Sequence, residues 1–169
     1  MAGTEADLLF APPGEQWRRL SPRYRTLLRI GVLIGWLPLV AIATWAGWFF
    51  SGGLAICWVP ILVAGLVWIG WRWWRMAALW RSWGYAELAD DLYVTRGLWF
   101  RRLTAVPYGR MQVVEVESGP IERALGLATV KLVTASASTD ATIPGLPPAE
   151  AARLRDRLTE LGETRASGL

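Results

Sequence analysis

The stretch IGVLIGWLPLVAIATWAGWFFSGGLAICWVPILVAGLVWIGW, residues 30–71, holds 42 consecutive residues without Asp, Glu, Lys or Arg. A charge at the centre of a membrane-spanning helix costs about 2.5–3.5 kcal/mol, so lipid demands such a stretch and water-soluble domains rarely contain one. Residues 30–50 would form a helix of about 31 Å, and residues 54–71 a second, each close to the thickness of a hydrocarbon core. Because Ser-Gly-Gly at 51–53 favours a bend, we predict a transmembrane helical hairpin within residues 30–74.

The charges around this run predict its orientation. Arginines flank both outer ends, whereas the turn carries no charge, so the positive-inside rule places both termini in the cytoplasm of a multi-pass cell-membrane protein. A secretory signal peptide fits less well, because a second apolar span follows the first. Tryptophans near the turn and after the second span are typical of interfacial belts. The flanking arginines are Arg18, Arg19, Arg23, Arg25 and Arg29 before the run and Arg72, Arg75 and Arg81 after it.

Two features of the apolar run and its N-terminal flank leave alternatives open. Residues 1–29 contain several prolines and no sustained periodicity, which predicts a flexible basic tail; its arginines either select anionic lipids or only determine topology. Gly31 and Gly35 form a GxxxG spacing that permits close helix approach. That approach would occur either within the hairpin or between two copies of the chain.

The composition weighs against an enzyme. The chain has no histidine, the commonest general base and metal ligand, and its single cysteine, Cys57, lies in the apolar run. Asp90 and Asp91 are adjacent, but side chains at successive strand positions point apart, so the pair predicts a turn. We therefore expect no catalytic residues, no metal site and no cofactor. Nucleic-acid binding is not expected either, because acidic groups slightly outnumber basic ones in residues 84–169.

From residue 84 onward, short β runs replace the apolar run. Val114 and Val116 share one face of a predicted strand, and Val113 lies on the other. Pro120 opens a short helical turn that Gly126 ends. Alternation and breakers predict strands over residues 85–89, 92–96, 101–106, 111–118 and 129–134, with a shorter one near Thr142 and Ile143.

The last predicted element is a helix that begins at Pro147 and Pro148 and ends at Gly162. An apolar stripe at helical spacing predicts that this helix packs on the sheet. About six strands and one helix indicate a small α+β domain over residues 84–162, followed by a disordered tail over residues 163–169. The stripe consists of Ala151, Leu154, Leu158 and Leu161.

Three segments of the chain carry a family signature. They read VPYGRMQVVEV at 106–116, GPIERALGLATV at 119–130 and IPGL at 143–146. With the preceding hairpin, they resemble the bacterial membrane-flanked pleckstrin-homology-like family of the YdbS type, through the ordered elements P-x-x-R-[IM]-Q-x-V and R-x-L-G-L. Met111 stands where Ile is more usual in that family. The resemblance implies a pleckstrin-homology-like barrel of six or seven strands with a C-terminal helix at the membrane surface, and no assigned catalytic activity.

Four polar side chains are candidates for contacts with lipid or a partner. Arg101 and Arg102 lie between two predicted strands, where they would hold lipid phosphate oxygens, although a solvated turn also explains them. Arg110 and Gln112 follow Pro107 at a tight strand entry, where they would satisfy backbone carbonyls or contact a ligand or partner.

These features predict a non-enzymatic, membrane-tethered binding module. Its cytoplasmic pleckstrin-homology-like domain would be presented to a membrane-protein partner, as a scaffold or accessory subunit. The alternative is recognition of anionic lipid head groups at the inner leaflet. The expected partners are therefore the lipid bilayer and a membrane protein or a second copy of the chain, and not nucleic acid.

Overall fold

The chain divides into two units, and the computed structural model describes residues 17–134 and 140–166. One unit is Arg25–Ala78; the other joins Met1–Tyr24 to Leu79–Leu169. The start of the predicted tail, residues 1–16, lies outside the described residues.

Two long helices dominate the first unit: α1 (Pro22–Phe50) and α2 (Ala55–Arg81). Both are long and apolar enough to cross a bilayer, and their side chains are mostly exposed. α1 begins eight residues before the first predicted span, and α2 ends ten residues after the second. The difference arises because apolarity marks the lipid-compatible part of a helix and not its hydrogen-bonded ends. In the turn between them, Gly52 and Gly53 have φ angles of +61° and +89°.

Glycines set the approach of α1 to α2, but not those of the GxxxG spacing. A Cβ added at Gly65 would lie 2.5 Å from the Val40 side chain, and one added at Gly47 would also be too close to α2. A Cβ at Gly31 or Gly35 would meet nothing within 4 Å. Packing of the GxxxG within the hairpin is therefore not found, since spacing alone does not decide which helix face meets the neighbour.

The second unit contains two antiparallel three-stranded sheets, in the orders β1-β2-β3 and β4-β5-β6. The predicted closed barrel is not found in the part of the chain that the structure describes, because β3 and β4 do not pair. A 3-10 turn, Tyr108–Arg110, separates them, and the buried Tyr108 hydroxyl donates to the Leu88 carbonyl at 2.9 Å. The strands are β1 (Gly84–Glu87), β2 (Asp91–Arg96), β3 (Arg102–Pro107), β4 (Met111–Glu117), β5 (Ala128–Thr134) and β6 (Ala141–Leu146).

Two further helices complete this unit: α3 (Pro120–Ala124) and α4 (Pro148–Ala166). Gly126 ends α3 with φ +64°, as predicted. The predicted docking of the last helix is confirmed, since Leu154 and Leu158 are fully buried and α4 packs on β4, β5 and the 3-10 turn.

The predicted end of α4 at Gly162 and the disordered tail are wrong for residues 163–166. Gly162 does not adopt a positive φ, and the Thr164 hydroxyl donates to the Glu160 carbonyl at 2.8 Å within the continuing helix. Glycine stops a helix only when it adopts the left-handed conformation. Residues 167–169 of the predicted tail lie outside the described residues.

Residues 17–21 are part of the second unit, so the flexible-tail prediction is wrong for this segment. The Arg18 N–H donates to the Tyr85 carbonyl at 2.9 Å, and the Tyr85 N–H donates back at 3.1 Å. Leu20 is 2% exposed, and its carbonyl accepts a hydrogen bond from the Trp80 indole at 3.2 Å. The Trp80 side chain therefore contributes to the fold of this unit.

Candidate membrane and partner-binding surfaces

The predicted pair Arg101 and Arg102 lies at the end of the β2–β3 hairpin. Arg102 is the first residue of β3, Arg101 precedes it, and both side chains are exposed. Arg96, the last residue of β2, is directly opposite Arg102 in the strand register. Three arginines therefore surround the end of one hairpin.

The apolar residues between these arginines were missed by the sequence analysis. We define residues 98–100 as the β2–β3 tip. Trp99 is 77% exposed and Phe100 is 90% exposed, and Leu98 is partly exposed. The available signal was the order R-G-L-W-F-R-R, in which the most apolar residues occupy a turn, where polar residues are usual.

A cavity of about 560 Å³ opens beside the β2–β3 tip. Among the described residues, three arginines and no acidic side chain line it, and its other walls are mainly aromatic and aliphatic. An anionic group joined to an apolar chain suits such a lining, because guanidinium groups hold anionic oxygens while the rings contact hydrocarbon. The lining residues are Tyr24, Leu79, Trp83, Arg96, Gly97, Phe100, Arg101 and Arg102.

Gln112 belongs to a different surface, a groove of about 220 Å³ between β4 and α4. We call it the β4–α4 groove; Met111, Gln112, Val113 and Val114 line it from β4, and Leu158, Thr159, Gly162 and Glu163 line it from α4. β4 is an edge strand, and five of its seven residues are exposed. The groove is therefore bordered by a sheet edge whose backbone N–H and C=O groups can pair with another strand.

Arg110 lines neither the cavity nor the groove. It ends the 3-10 turn, with its side chain exposed. In the described part of the chain, the Arg110 guanidinium and the Gln112 amide donate no hydrogen bond to a backbone carbonyl. Their predicted structural role is not found, so the structure brings Arg101 and Arg102 together but separates them from Gln112.

A buried carboxylate joins three parts of the second unit. The Glu87 side chain is 5% exposed and lies 2.6 Å from an Arg153 nitrogen, 3.2 Å from Arg157 and 3.4 Å from Arg18. These ion pairs connect β1 to α4 and to the N-terminal segment. Arg18 and Arg153 also form ion pairs with Glu150, at 3.3 Å and 2.8 Å, so the two carboxylates share these arginines.

Three titrating groups around this cluster have pKa values far from neutral pH. The Arg153 hydrogen bond to Glu150, at 2.8 Å, is the main factor that lowers the pKa of Glu150 to about 2. Burial raises the pKa of Tyr85 to about 12, and the pKa of Tyr108 likewise. None of these three groups therefore has the pKa near 7 that suits a general acid or base.

Comparison with known proteins agrees with the signature segments and the two-sheet architecture. Residues 23–162 match the family described as Bacterial PH domain. The chain belongs to this bacterial PH domain family. The UPF0699 transmembrane protein YdbS of Bacillus subtilis (strain 168) is 35% identical over 81 residues, which are 48% of this chain and 50% of that protein. The chain thus spans about half the length of the curated relative it matches. No solved structure matches the chain at a significant level.

The family resemblance inferred from the motifs is confirmed. The chain is a membrane protein with a bacterial PH domain, formed by the two sheets and α4. Among the motif residues, Met111 begins β4 and lines the β4–α4 groove, while Leu127 is buried beside β5. These motif positions therefore lie in the core and along the groove, and no motif residue lies in the β2–β3 tip.

Proposed function

We propose that this protein is a non-enzymatic binding module whose cytoplasmic PH domain is presented to a membrane-protein partner, as a scaffold or accessory subunit. α1 and α2 cross the membrane as a hairpin in this proposal, with both termini cytoplasmic. The exposed edge and groove of β4 support it most directly. The arginines outside the uncharged run support the orientation.

The edge of β4 has the properties of a strand-addition site. It pairs with β5 along one side, and its register carries an irregularity between Met111 and Val113. Val113 is 47% exposed and Val116 is 38% exposed. An extended chain can pair with such an edge, and the register irregularity and the charges of Glu115 and Glu117 restrict which chains do so. A partner strand would gain backbone hydrogen bonds from β4 and side-chain contacts from the groove.

The charge of this surface specifies the partner's chemistry. Glu115 projects from β4 and Glu163 lines the groove, and both side chains are exposed. Val113 and the buried Leu158 supply apolar wall to the groove. We therefore propose an extended cytoplasmic segment of a membrane protein, with apolar residues at alternate positions and Lys or Arg between them.

Co-purification of the full chain in mild detergent tests this proposal. We expect a stoichiometric membrane protein with the wild type, and its loss with Val113→Arg, which places a bulky cation at the strand edge. Ala105→Arg is the matched control, because Ala105 is exposed on β3 in the other sheet. A stoichiometric partner kept equally by both variants, or none in the wild type, would contradict docking at β4.

Thiol labelling tests the proposed topology. Two variants are compared, both with Cys57→Ser. One carries a cysteine at Ser51, in the turn between α1 and α2, and the other carries a cysteine at Ser167. An impermeant reagent applied to intact cells should label position 51 and reach position 167 only after the membrane is permeabilised. Labelling of 167 alone on intact cells would show that the orientation is reversed.

A second function, recognition of anionic head groups at the inner leaflet, is favoured by the arginine-lined cavity. Lipids retained by the purified full chain can be identified by mass spectrometry. We expect enrichment of anionic lipids over the membrane average, and a lower enrichment in the Arg101→Ser/Arg102→Ser variant. Retained lipid of the same composition in both proteins would speak against head-group recognition by these arginines.

A further inference from the structure

The β2–β3 tip concentrates exposed apolar surface at one point of the PH domain. Trp99 and Phe100 are 77% and 90% exposed, whereas the exposed β4 residue Val113 reaches 47%. Isolated exposed apolar residues are common, but two large neighbouring rings at the end of a hairpin mark an interaction surface.

Gly97 fixes the shape of the hairpin end. Its φ is +107°, and a Cβ at this position would overlap the Phe100 carbonyl oxygen. The chain therefore turns tightly between Arg96 and Arg102, and the residues between these two positions are displayed beyond the paired strands.

Three arginines place positive charge on both sides of the β2–β3 tip. Arg96, Arg101 and Arg102 flank residues 98–100, and no Asp or Glu occurs between Asp91 and Glu115. Apolar rings in front of guanidinium groups match the order of layers at an anionic membrane surface, where phosphates lie outside the hydrocarbon. A complementary protein surface would have to provide a hydrophobic pocket ringed by carboxylates.

The chain connectivity supplies the second argument for a membrane. Tyr24 and Leu79, which line the same cavity as Phe100, are the residues at which the chain leaves the PH domain unit for the two apolar helices. Ile30, the start of the uncharged run, lies six positions after Tyr24, and six residues span at most about 22 Å when fully extended. Such tethering gives the tip a high effective concentration at a bilayer that contains the helices.

We infer that the β2–β3 tip inserts Leu98, Trp99 and Phe100 into the interfacial region of an anionic bilayer, while the three arginines behind it contact lipid phosphates. This inference is independent of partner docking at β4. It rests on the second proposed function only for the phosphate contacts, and the insertion itself is tested separately.

Fluorescence depth measurements test the insertion in the full chain. A polarity-sensitive probe is attached at Leu98→Cys in a Cys57→Ser background, and the protein is reconstituted into nanodiscs of neutral or anionic lipid, which leave both membrane faces accessible. We expect strong quenching by nitroxide-labelled lipid and a several-fold lower iodide quenching than for the same probe at Ala105→Cys. Ala105 is the control because it is exposed in the middle of β3.

Two variants separate the rings from the arginines. Trp99→Ser/Phe100→Ser should restore iodide quenching of the probe at position 98 in both lipids. Arg101→Ser/Arg102→Ser should weaken quenching by nitroxide-labelled lipid in anionic nanodiscs only. Lipid quenching that persists in the arginine variant with anionic lipid supports insertion and contradicts head-group recognition.

Two results would overturn the inference. One is equal iodide quenching at positions 98 and 105 in both lipids, which would mean that the tip stays in water. The other is protection of position 98 from iodide without quenching by nitroxide lipid, which would mean that protein covers the tip. Hydrogen exchange of β5 amides in each variant checks that the PH domain remains folded.

Discussion

Replacement of Leu158 by alanine should destabilise the PH domain by a predictable amount. Leu158 is fully buried, and it lies between the core and the β4–α4 groove. Substitution of a buried leucine by alanine costs about 2–5 kcal/mol, depending on how much of the space is refilled. Because the neighbouring groove admits water, we expect a loss in the lower part of this range, about 2–3 kcal/mol.

The larger perturbation at the same position is Leu158→Asp. It removes the same apolar contacts and places a carboxylate where its charge is poorly solvated, so the loss should exceed that of alanine by at least about 1 kcal/mol. The loss of about 2–3 kcal/mol expected for Leu158→Ala would lower the midpoint of thermal unfolding by roughly 10–20 °C for a domain of this size.

The assay must use the full chain, because residues 17–21 contribute Leu20 and the Arg18 pairing to the domain. Pulse proteolysis in a urea series, on protein in mild detergent, measures the unfolding midpoint, and hydrogen exchange of β5 distinguishes the PH domain from α1 and α2. Thr159→Ala is the matched control, since Thr159 is exposed on the same helix turn. Equal unfolding midpoints for Leu158→Ala and Thr159→Ala would refute the assigned packing of α4.

Two further changes probe the PH domain by other means. Gly145→Ala should lower its unfolding midpoint, because Gly145 has φ +68° and an added Cβ would lie 2.5 Å from Tyr24. Gly119→Ala is the control in the same urea assay, because Gly119 has φ −68° and an added Cβ would only make an ordinary contact with Glu122 at 3.7 Å. Acid should also destabilise it: Glu150, whose pKa Arg153 lowers from 4.5 to about 2, adds stability above pH 4.5 that is lost as the pH falls towards 2. Glu150→Gln should flatten the pH dependence of the thermal midpoint, and an unchanged dependence between pH 2 and 5 would contradict this assignment.

Local patterns explain which elements were predictable. The two apolar helices follow from an uncharged run, and the strands and α4 follow from periods of two and 3.6 residues, because each signal lies within one segment of chain. The faces of β4 illustrate this: Val114 pairs with the buried Leu132, and Val113 lies on the opposite, exposed face. The stop of α3 at Gly126 is equally local.

The functional surfaces were only partly predictable. Arg101 and Arg102 were chosen because arginines between strands suggest phosphate contacts, and the structure places both at one cavity. Trp99 and Phe100 escaped notice because tryptophan and phenylalanine are the residues expected in a core, and only their place in a turn between arginines signals exposure. Gln112 was grouped with Arg110 on sequence proximity, although Arg110 ends the 3-10 turn and Gln112 lies in β4, beside the β4–α4 groove.

The sequence by itself determined the apolar helices, the strand alternation, the stripe of α4 and the family. Tertiary structure alone decided that Arg18 pairs with β1, that the two sheets do not close into a barrel in the described part of the chain, and that Tyr24 shares a cavity with Arg96. Each of these depends on segments that are far apart in the chain, as in the pairing of Arg18 with Tyr85. Periodicity reports which face of a segment is buried, but it does not report which distant segment buries it, because that choice is made by the packing of the whole domain.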